Sequence, residues 1–199
     1  LENTSFIYLI KKDFVEINNL RGLINGIQMN TGVIKIDSKN LYKINGEIKS
    51  DLKLSKRNIK NLLNNKIIKN LQTFELNGKI NGLFSIDLDK TLKIKNYELN
   101  ASGNVFSSKL NLNFPQKLIF LKKDIETLVF EKTEFDIYLA DKKNNKIDLK
   151  GLFKINNKSV QKFNFKNVFT SNKQTIRFNS NFDNEIDIPF LNYNTKNKI

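Results

Sequence analysis

Residues 74–88 read FELNGKINGLFSIDL, and every even-numbered residue in this stretch is apolar or glycine. The residues between them are polar, with Leu83 as the one exception. A period of two over so long a run is typical of a β-strand with one apolar and one polar face. At roughly 3.3 Å per residue it would span about 50 Å, unless a glycine bends it or two strands share the run. The stretch predicts a sheet with a broad apolar face, and what covers that face decides the function.

The same alternation recurs along the chain. Regular examples are 42–54, 147–155 and 176–182, and shorter candidates are 6–10, 20–29, 32–36, 92–105, 107–114, 134–140 and 160–169. Within 92–105 the apolar positions change parity, which predicts a bulge or turn at Lys95-Asn96. A last edge strand is expected over 186–190, ended by Pro189. Short polar breaks such as Asn30-Thr31 separate the runs, and this favours hairpins and an antiparallel sheet.

One segment has a helical period. After Ser55, a suitable N-cap, apolar residues follow at spacings of three and four through residues 56–71. One interpretation is a basic amphipathic helix that lies on an anionic membrane, and the other is a helix that covers one end of the sheet. The apolar side of this helix has no aromatic residue, which favours the cover. A second, short helical turn is expected over 124–128.

Composition excludes several kinds of site. The chain of 199 residues has no cysteine and no histidine, so disulfides, thiolate chemistry and histidine-based catalysis are excluded. The net charge is +14, but nearly all of the positive charge is lysine, whereas arginine is the residue that forks onto phosphate and guanine. We expect these lysines to cover a solvated sheet face and expect no nucleic-acid partner. The examples that alternate with apolar residues are Lys43, Lys49, Lys53, Lys79 and Lys93.

The residues also argue against catalysis. Asp87 and Asp89 are the nearest pair of carboxylates, and they share the polar face of a strand beside Lys90, a position typical of a solvated strand end. We expect a protein without enzymatic activity, metal or cofactor. Neither a leader nor an apolar run near 18 residues is visible, so we expect residues 1–199 to form a single β-rich segment of a longer, repetitive chain.

Two architectures can accommodate so much one-sided sheet. In a β-sandwich, two sheets bury their apolar faces against each other at about 10 Å. In an open, strongly coiled antiparallel sheet, the apolar face lines a hydrophobic groove that an apolar ligand occupies. The predicted helix would be about 24 Å long, which is too short to cover all the strands. The residues by themselves leave sandwich and groove open.

A resemblance favours the groove. The run LNGKINGLFSIDLD (76–89), followed by LKIKNYELNASG (92–103), resembles the AsmA-like family of bacterial envelope proteins, near its YhdP-like and TamB-like members. The resemblance covers residues 40–190. It rests on the alternation of apolar and polar residues in the strands and on the positions of the glycines. It implies a Gram-negative protein anchored in the inner membrane by a segment not present here and extending through the periplasm. It further implies non-enzymatic transport of phospholipid toward the outer membrane, which supports outer-membrane biogenesis and homeostasis.

The family has no catalytic motif to carry over, so the resemblance implies only a role for the inward residues. These would contact the acyl chains of phospholipids: Ile44, Ile48, Leu52, Phe74, Leu76, Ile80, Phe84, Ile86, Leu149, Phe153 and Phe178. Both membranes would be contacted through regions outside this segment. The alternative function is a structural or adhesive β-sandwich segment of an envelope or surface protein without a ligand. A weaker candidate is a lysine-driven binder of an anionic polymer or membrane surface, for which binding would depend steeply on salt.

Overall fold

Alternating apolar and polar residues pair, strand after strand, into one ten-stranded antiparallel sheet. The computed structural model describes residues 2–24, 27–39, 42–60, 65–116, 124–141, 143–156, 158–181, 187–188 and 193–194. Strand order in the sheet follows chain order, so each strand pairs with its neighbours in the sequence. The strands are β1 (Glu2–Lys11), β2 (Phe14–Ile24), β3 (Ile27–Asp37), β4 (Tyr42–Ser55), β5 (Leu71–Leu88), β6 (Ile94–Gln116), β7 (Ile125–Ala140), β8 (Asn145–Ile155), β9 (Gln161–Phe169) and β10 (Gln174–Ser180). This confirms the all-β, antiparallel prediction.

The stretch that decides the fold lies within β5. This strand pairs with β4 from Tyr42↔Leu88 to Ser55↔Glu75 without a shift in register. Because side chains alternate between faces, an unbroken register keeps the even-numbered, mostly apolar residues of both strands on the same side, with Leu83 as the apolar exception on the other side. Residues 74–88 therefore form a single strand and not two.

β-Bulges hold the apolar residues on one face where the sequence changes parity. Lys95 is an extra residue between the pairs Asp87↔Asn96 and Leu88↔Ile94, which confirms the predicted bulge. Phe106 is a second extra residue in β6, so 92–105 and 107–114 do not form separate strands as predicted: from Ile94 onward both belong to β6. In β3 the register shifts between Met29 and Thr31, so the break predicted at Asn30-Thr31 is wrong and the strand continues.

Three other predictions need correction. The candidate strand 20–29 spans the end of β2 and the start of β3, and residues 25–26 lie outside the described residues. The helical turn expected over 124–128 is wrong, because β7 begins at Ile125 and pairs there with β6. Within 186–190, β11 (Asp187–Ile188) pairs with β12 (Tyr193–Asn194) in a sheet of two strands, and 186, 189 and 190 lie outside the described residues.

The predicted helix covers one end of the sheet. Within the predicted range 56–71 the structure has α1 (Lys56–Ile59) and α2 (Asn65–Asn70), and residues 61–64 lie outside the described part. The predicted end is wrong by one residue, because Leu71 begins β5. Before α1, the side chain of Asn58 accepts hydrogen bonds from the backbone N–H and the hydroxyl of Ser55, at 3.0 and 2.7 Å. Ile59, Ile68 and Leu71 are buried against apolar residues of β4, β5 and β6. These buried contacts favour the interpretation that the helical segment covers the sheet, rather than the one in which it lies on a membrane surface.

A larger buried cluster lies on the neighbouring strands. It contains Ile125, Phe153, Ile155 and Phe163, with half-buried residues of β6 to β9 packed around it. No second large sheet packs over the apolar side of the ten strands among the described elements. The structure is thus an open, one-sided sheet and not the β-sandwich.

Candidate functional site

Apolar side chains lie next to one another across the whole sheet. Ile44 of β4 pairs with Ile36 of β3 and with Ile86 of β5. On the later strands, Leu149 of β8 pairs with Phe135 of β7 and Phe165 of β9. Direct partners in an antiparallel pair point to the same side of the sheet. These side chains, and those that alternate in phase with them, form one continuous surface, here called the apolar face.

The predicted groove residues all lie on the apolar face. They are Ile44, Ile48, Leu52, Phe74, Leu76, Ile80, Phe84, Ile86, Leu149, Phe153 and Phe178. Their burial differs, since Leu52 and Phe153 are buried, Phe178 is 48% exposed and the others are half-buried. The structure therefore brings the predicted residues together on one surface, of which the Phe153 region is the most closed.

A cavity of about 290 Å³ opens on the apolar face. Four adjacent strands line it: Ile27 and Met29 of β3; Ile48, Ser50 and Leu52 of β4; Ile80, Gly82 and Phe84 of β5; Leu99 and Ala101 of β6. Ser50 is the one polar side chain in this lining. An apolar cavity of roughly 150 Å³ stays dry and binds benzene, so this cavity has room for an apolar group about twice that size.

Six residues that line this cavity were not among the predicted groove residues: Ile27, Met29, Ser50, Gly82, Leu99 and Ala101. Met29 is only 2% exposed and has the most buried large side chain of the described residues. Its parity differs from that of the residues after the bulge in β3, so alternation alone could not assign it to the same face. The change of the apolar positions from odd to even numbers within β3 was the signal in the sequence that could have placed Met29 on this face.

Four phenylalanine rings pack against one another on the apolar face of the later strands. Phe153 contacts Phe163 edge-to-face with ring centroids 5.8 Å apart, and Phe130 contacts Phe163 in the same way at 5.6 Å. Phe178 of β10 lies 6.3 Å from both Phe153 and Phe163. Such pairs each contribute roughly 0.5–1.5 kcal/mol beyond burial.

At the ends of β4 and β6 opposite the helical cover, the apolar face is exposed. Tyr42, Ile94 and Tyr97 lie near the opposite ends of β4 and β6 and are 37%, 63% and 40% exposed. The cover, by contrast, buries Ile59 and Leu71 to 4% and 3% exposure. The apolar face is therefore covered at one end of these strands and accessible at the other.

The opposite, polar face carries the charge. All five lysines singled out in the sequence are exposed, as predicted: Lys43, Lys49, Lys53, Lys79 and Lys93. Ion pairs join neighbouring strands there, such as Lys150–Glu134 at 2.9 Å and Lys154–Glu131 at 2.8 Å. Two depressions of about 560 and 460 Å³ on this side of the sheet share Glu47, Leu83 and Asn100 in their lining. The lysines of these depressions include Lys35 and Lys49, which are already paired with Glu16 and Glu47.

Asp89 organises the turn between β5 and β6. Its Oδ1 accepts hydrogen bonds from the hydroxyl and backbone N–H of Thr91, at 2.7 and 2.8 Å, and from the backbone N–H of Lys93 at 3.1 Å. Its Oδ2 pairs with Lys95 at 3.1 Å. The bond from the Thr91 hydroxyl, followed by that from Lys93, holds the pKa of Asp89 well below its usual range. This carboxylate has a structural role in the turn.

The described residues contain no group of three side chains suited to hold a metal ion. None of the helical segments described above has the length and apolar character needed to cross a membrane. The fold and the apolar face define an all-β protein with an open, one-sided sheet. No protein-family model, no curated protein and no solved structure matches this chain.

Proposed function

We propose that this chain transports phospholipid between membranes without catalysis, and that its apolar face shields the acyl chains from water. The observation that carries the proposal is the extent of that face, which continues over ten paired strands and is covered only at one end among the described elements. At about 4.8 Å per strand, ten strands give a path of about 43 Å. A soluble protein seldom leaves a large apolar surface free unless a ligand or partner uses it.

Physical chemistry makes such a surface suitable for acyl chains. Each CH₂ group removed from water contributes about 0.8 kcal/mol, and the aliphatic contacts repeat from strand to strand. A chain that moves by one strand exchanges one set of similar contacts for another, so no single deep minimum holds it. The phospholipid headgroup would remain in water at the open side.

The resemblance of residues 76–103 to the AsmA-like family is the second support. On this basis we place the protein in the periplasm of a Gram-negative envelope, with an inner-membrane anchor and contacts to the outer membrane in other parts of the protein. Its role there would be to maintain the outer membrane.

The test is the lipid content of the purified chain and of two matched variants. Phe84→Asp puts a carboxylate on the apolar face, whereas Leu83→Asp puts the same group on the polar face one residue away, where Leu83 is 54% exposed. Lipids are extracted under denaturing conditions and quantified by mass spectrometry. We expect near-stoichiometric phospholipid in the wild type and in Leu83→Asp, and little in Phe84→Asp.

A lipid-free wild type that unfolds cooperatively would overturn the proposal and leave the ligand-free structural role. Circular dichroism during thermal unfolding shows whether each variant still folds. If Phe84→Asp does not fold, Ile80→Asp tests the same surface from a neighbouring position on β5. Unfolding of both variants would show that the face is a closed core.

A further inference from the structure

Gly82 of β5 has no steric reason to be glycine. A β-carbon built at this position meets no atom within 4 Å, and its backbone does not have a positive φ angle. Glycine in a strand interior weakens the strand and often marks a place where a ligand or another backbone approaches closely. Its partners Ile48 and Ala101 do not cover it.

Four other glycines of the apolar face have a clear steric reason. A β-carbon at Gly46 would lie 2.5 Å from a ring atom of Phe84. One at Gly103 would collide with the backbone carbonyl oxygen of Lys79 and would lie 2.7 Å from the ring of Phe135. At Gly78 the obstacle is the backbone of β6, and at Gly151 it is Thr133. At these glycines, neighbouring groups occupy the space that a β-carbon would need, whereas Gly82 faces the 290 Å³ cavity.

The ring of Phe84 helps to keep that cavity empty. Because it lies over Gly46 on the adjacent strand, it forms a wall of the cavity and does not extend over Gly82. Ile80 provides the opposite wall on the same strand.

The span of the cavity across the strands is comparable to the length of one acyl chain. Its lining comes from four adjacent strands, β3 to β6, and three inter-strand spacings amount to about 14 Å. A single leaflet of the bilayer core is about 15 Å thick, half of the roughly 30 Å total, and this is the reach of one chain.

From these observations we infer that Gly82 is a ligand-binding residue: the space at its α-carbon is where an acyl chain crosses β5, between Phe84 and Ile80. This inference rests on the proposed function, and it names the residue that sets the cross-section of the path. A larger side chain at position 82 occupies the space of the ligand without disturbing the sheet.

The experiment compares Gly82→Ala and Gly82→Leu with Asn81→Leu, which adds the same side chain to the exposed polar face of the same strand. Binding is measured as the affinity for cis-parinaric acid, a fluorescent fatty acid, and stability as the midpoint of urea unfolding. We expect Gly82→Leu to weaken binding about ten-fold, the equivalent of two CH₂ groups no longer buried. Gly82→Ala should have an intermediate effect, and neither variant should unfold at lower urea than the wild type.

The outcomes separate this inference from the proposed function. If the wild type binds the fatty acid and Gly82→Leu binds it equally well, the role of Gly82 is overturned and the transport proposal stands. Equal weakening by Asn81→Leu would also overturn the role of Gly82. If the wild type binds no fatty acid and carries no phospholipid, both proposals fail. A Gly82→Ala variant that unfolds at markedly lower urea would show that the glycine is structural after all.

Discussion

The ring of Phe84 lies across Gly46, its direct partner on the adjacent strand. An aromatic ring over a cross-strand glycine shields the exposed backbone and replaces the missing side-chain packing. Gly103 and Phe135 repeat this arrangement between β6 and β7. In both pairs, the aromatic ring on one strand therefore occupies the space above the glycine on the adjacent strand.

This relationship predicts a coupling between the two residues. Gly46→Ala should destabilise the protein by about 1–3 kcal/mol, because the new β-carbon collides with the Phe84 ring. In a Phe84→Leu background the same substitution should cost less, since the ring is absent. A double-mutant cycle in urea measures the difference, and additive effects would contradict the predicted contact.

The phenylalanine cluster should contribute unequally to stability. Phe153 is 5% exposed and touches the rings of Phe130, Phe163 and Phe178, so Phe153→Ala should cost about 3–5 kcal/mol. Phe178 lies on the edge strand and is 48% exposed, so Phe178→Ala should cost about 1 kcal/mol. Chemical unfolding of both variants checks the order, and equal losses would show that the cluster is not organised as described.

The turn carboxylate of Asp89 should link stability to acid. Its pKa is lowered in the folded state, so the ionised form is favoured by folding. This stabilising contribution is complete above the unfolded pKa of about 3.9, and it is lost as the pH falls through the lower folded value. Unfolding midpoints of the wild type and Asp89→Asn should converge as the pH decreases. A difference that is independent of pH would contradict the assignment.

The edge strand β1 should promote self-association. Residues Phe6, Ile7, Tyr8, Leu9 and Ile10 are each 45–65% exposed, and β1 pairs only with β2 within the described sheet. An exposed apolar edge is a template for pairing with other chains. Ile7→Lys should reduce the concentration-dependent growth of particles seen by light scattering. Asn18→Lys, which adds the same charge on the partner residue of β2, should leave that growth unchanged.

Much of the sheet was predictable because strand alternation is a local property. The boundaries of β4, β5, β8 and β9 agree closely with the apolar runs 42–54, 74–88, 147–155 and 160–169. Where a bulge changes parity, local reasoning split one strand into two, as at Phe106 and Asn30. The strand continues through a bulge because the partner strand pairs with the residues on both sides of it. That partner is distant in the sequence, so local alternation does not reveal it.

The amino-acid sequence by itself determined which side is apolar in the strands that alternate without a bulge, that the strands pair in an antiparallel sheet, and that the lysines lie on exposed positions. These features follow from alternation and from short polar turns, which neighbouring residues control. Only the tertiary structure decided that a single sheet forms, that the helical segment covers one end, and that space remains at Gly82. Those outcomes depend on which side chains meet across strands, and a glycine covered by a distant ring cannot be distinguished from an uncovered one in the sequence.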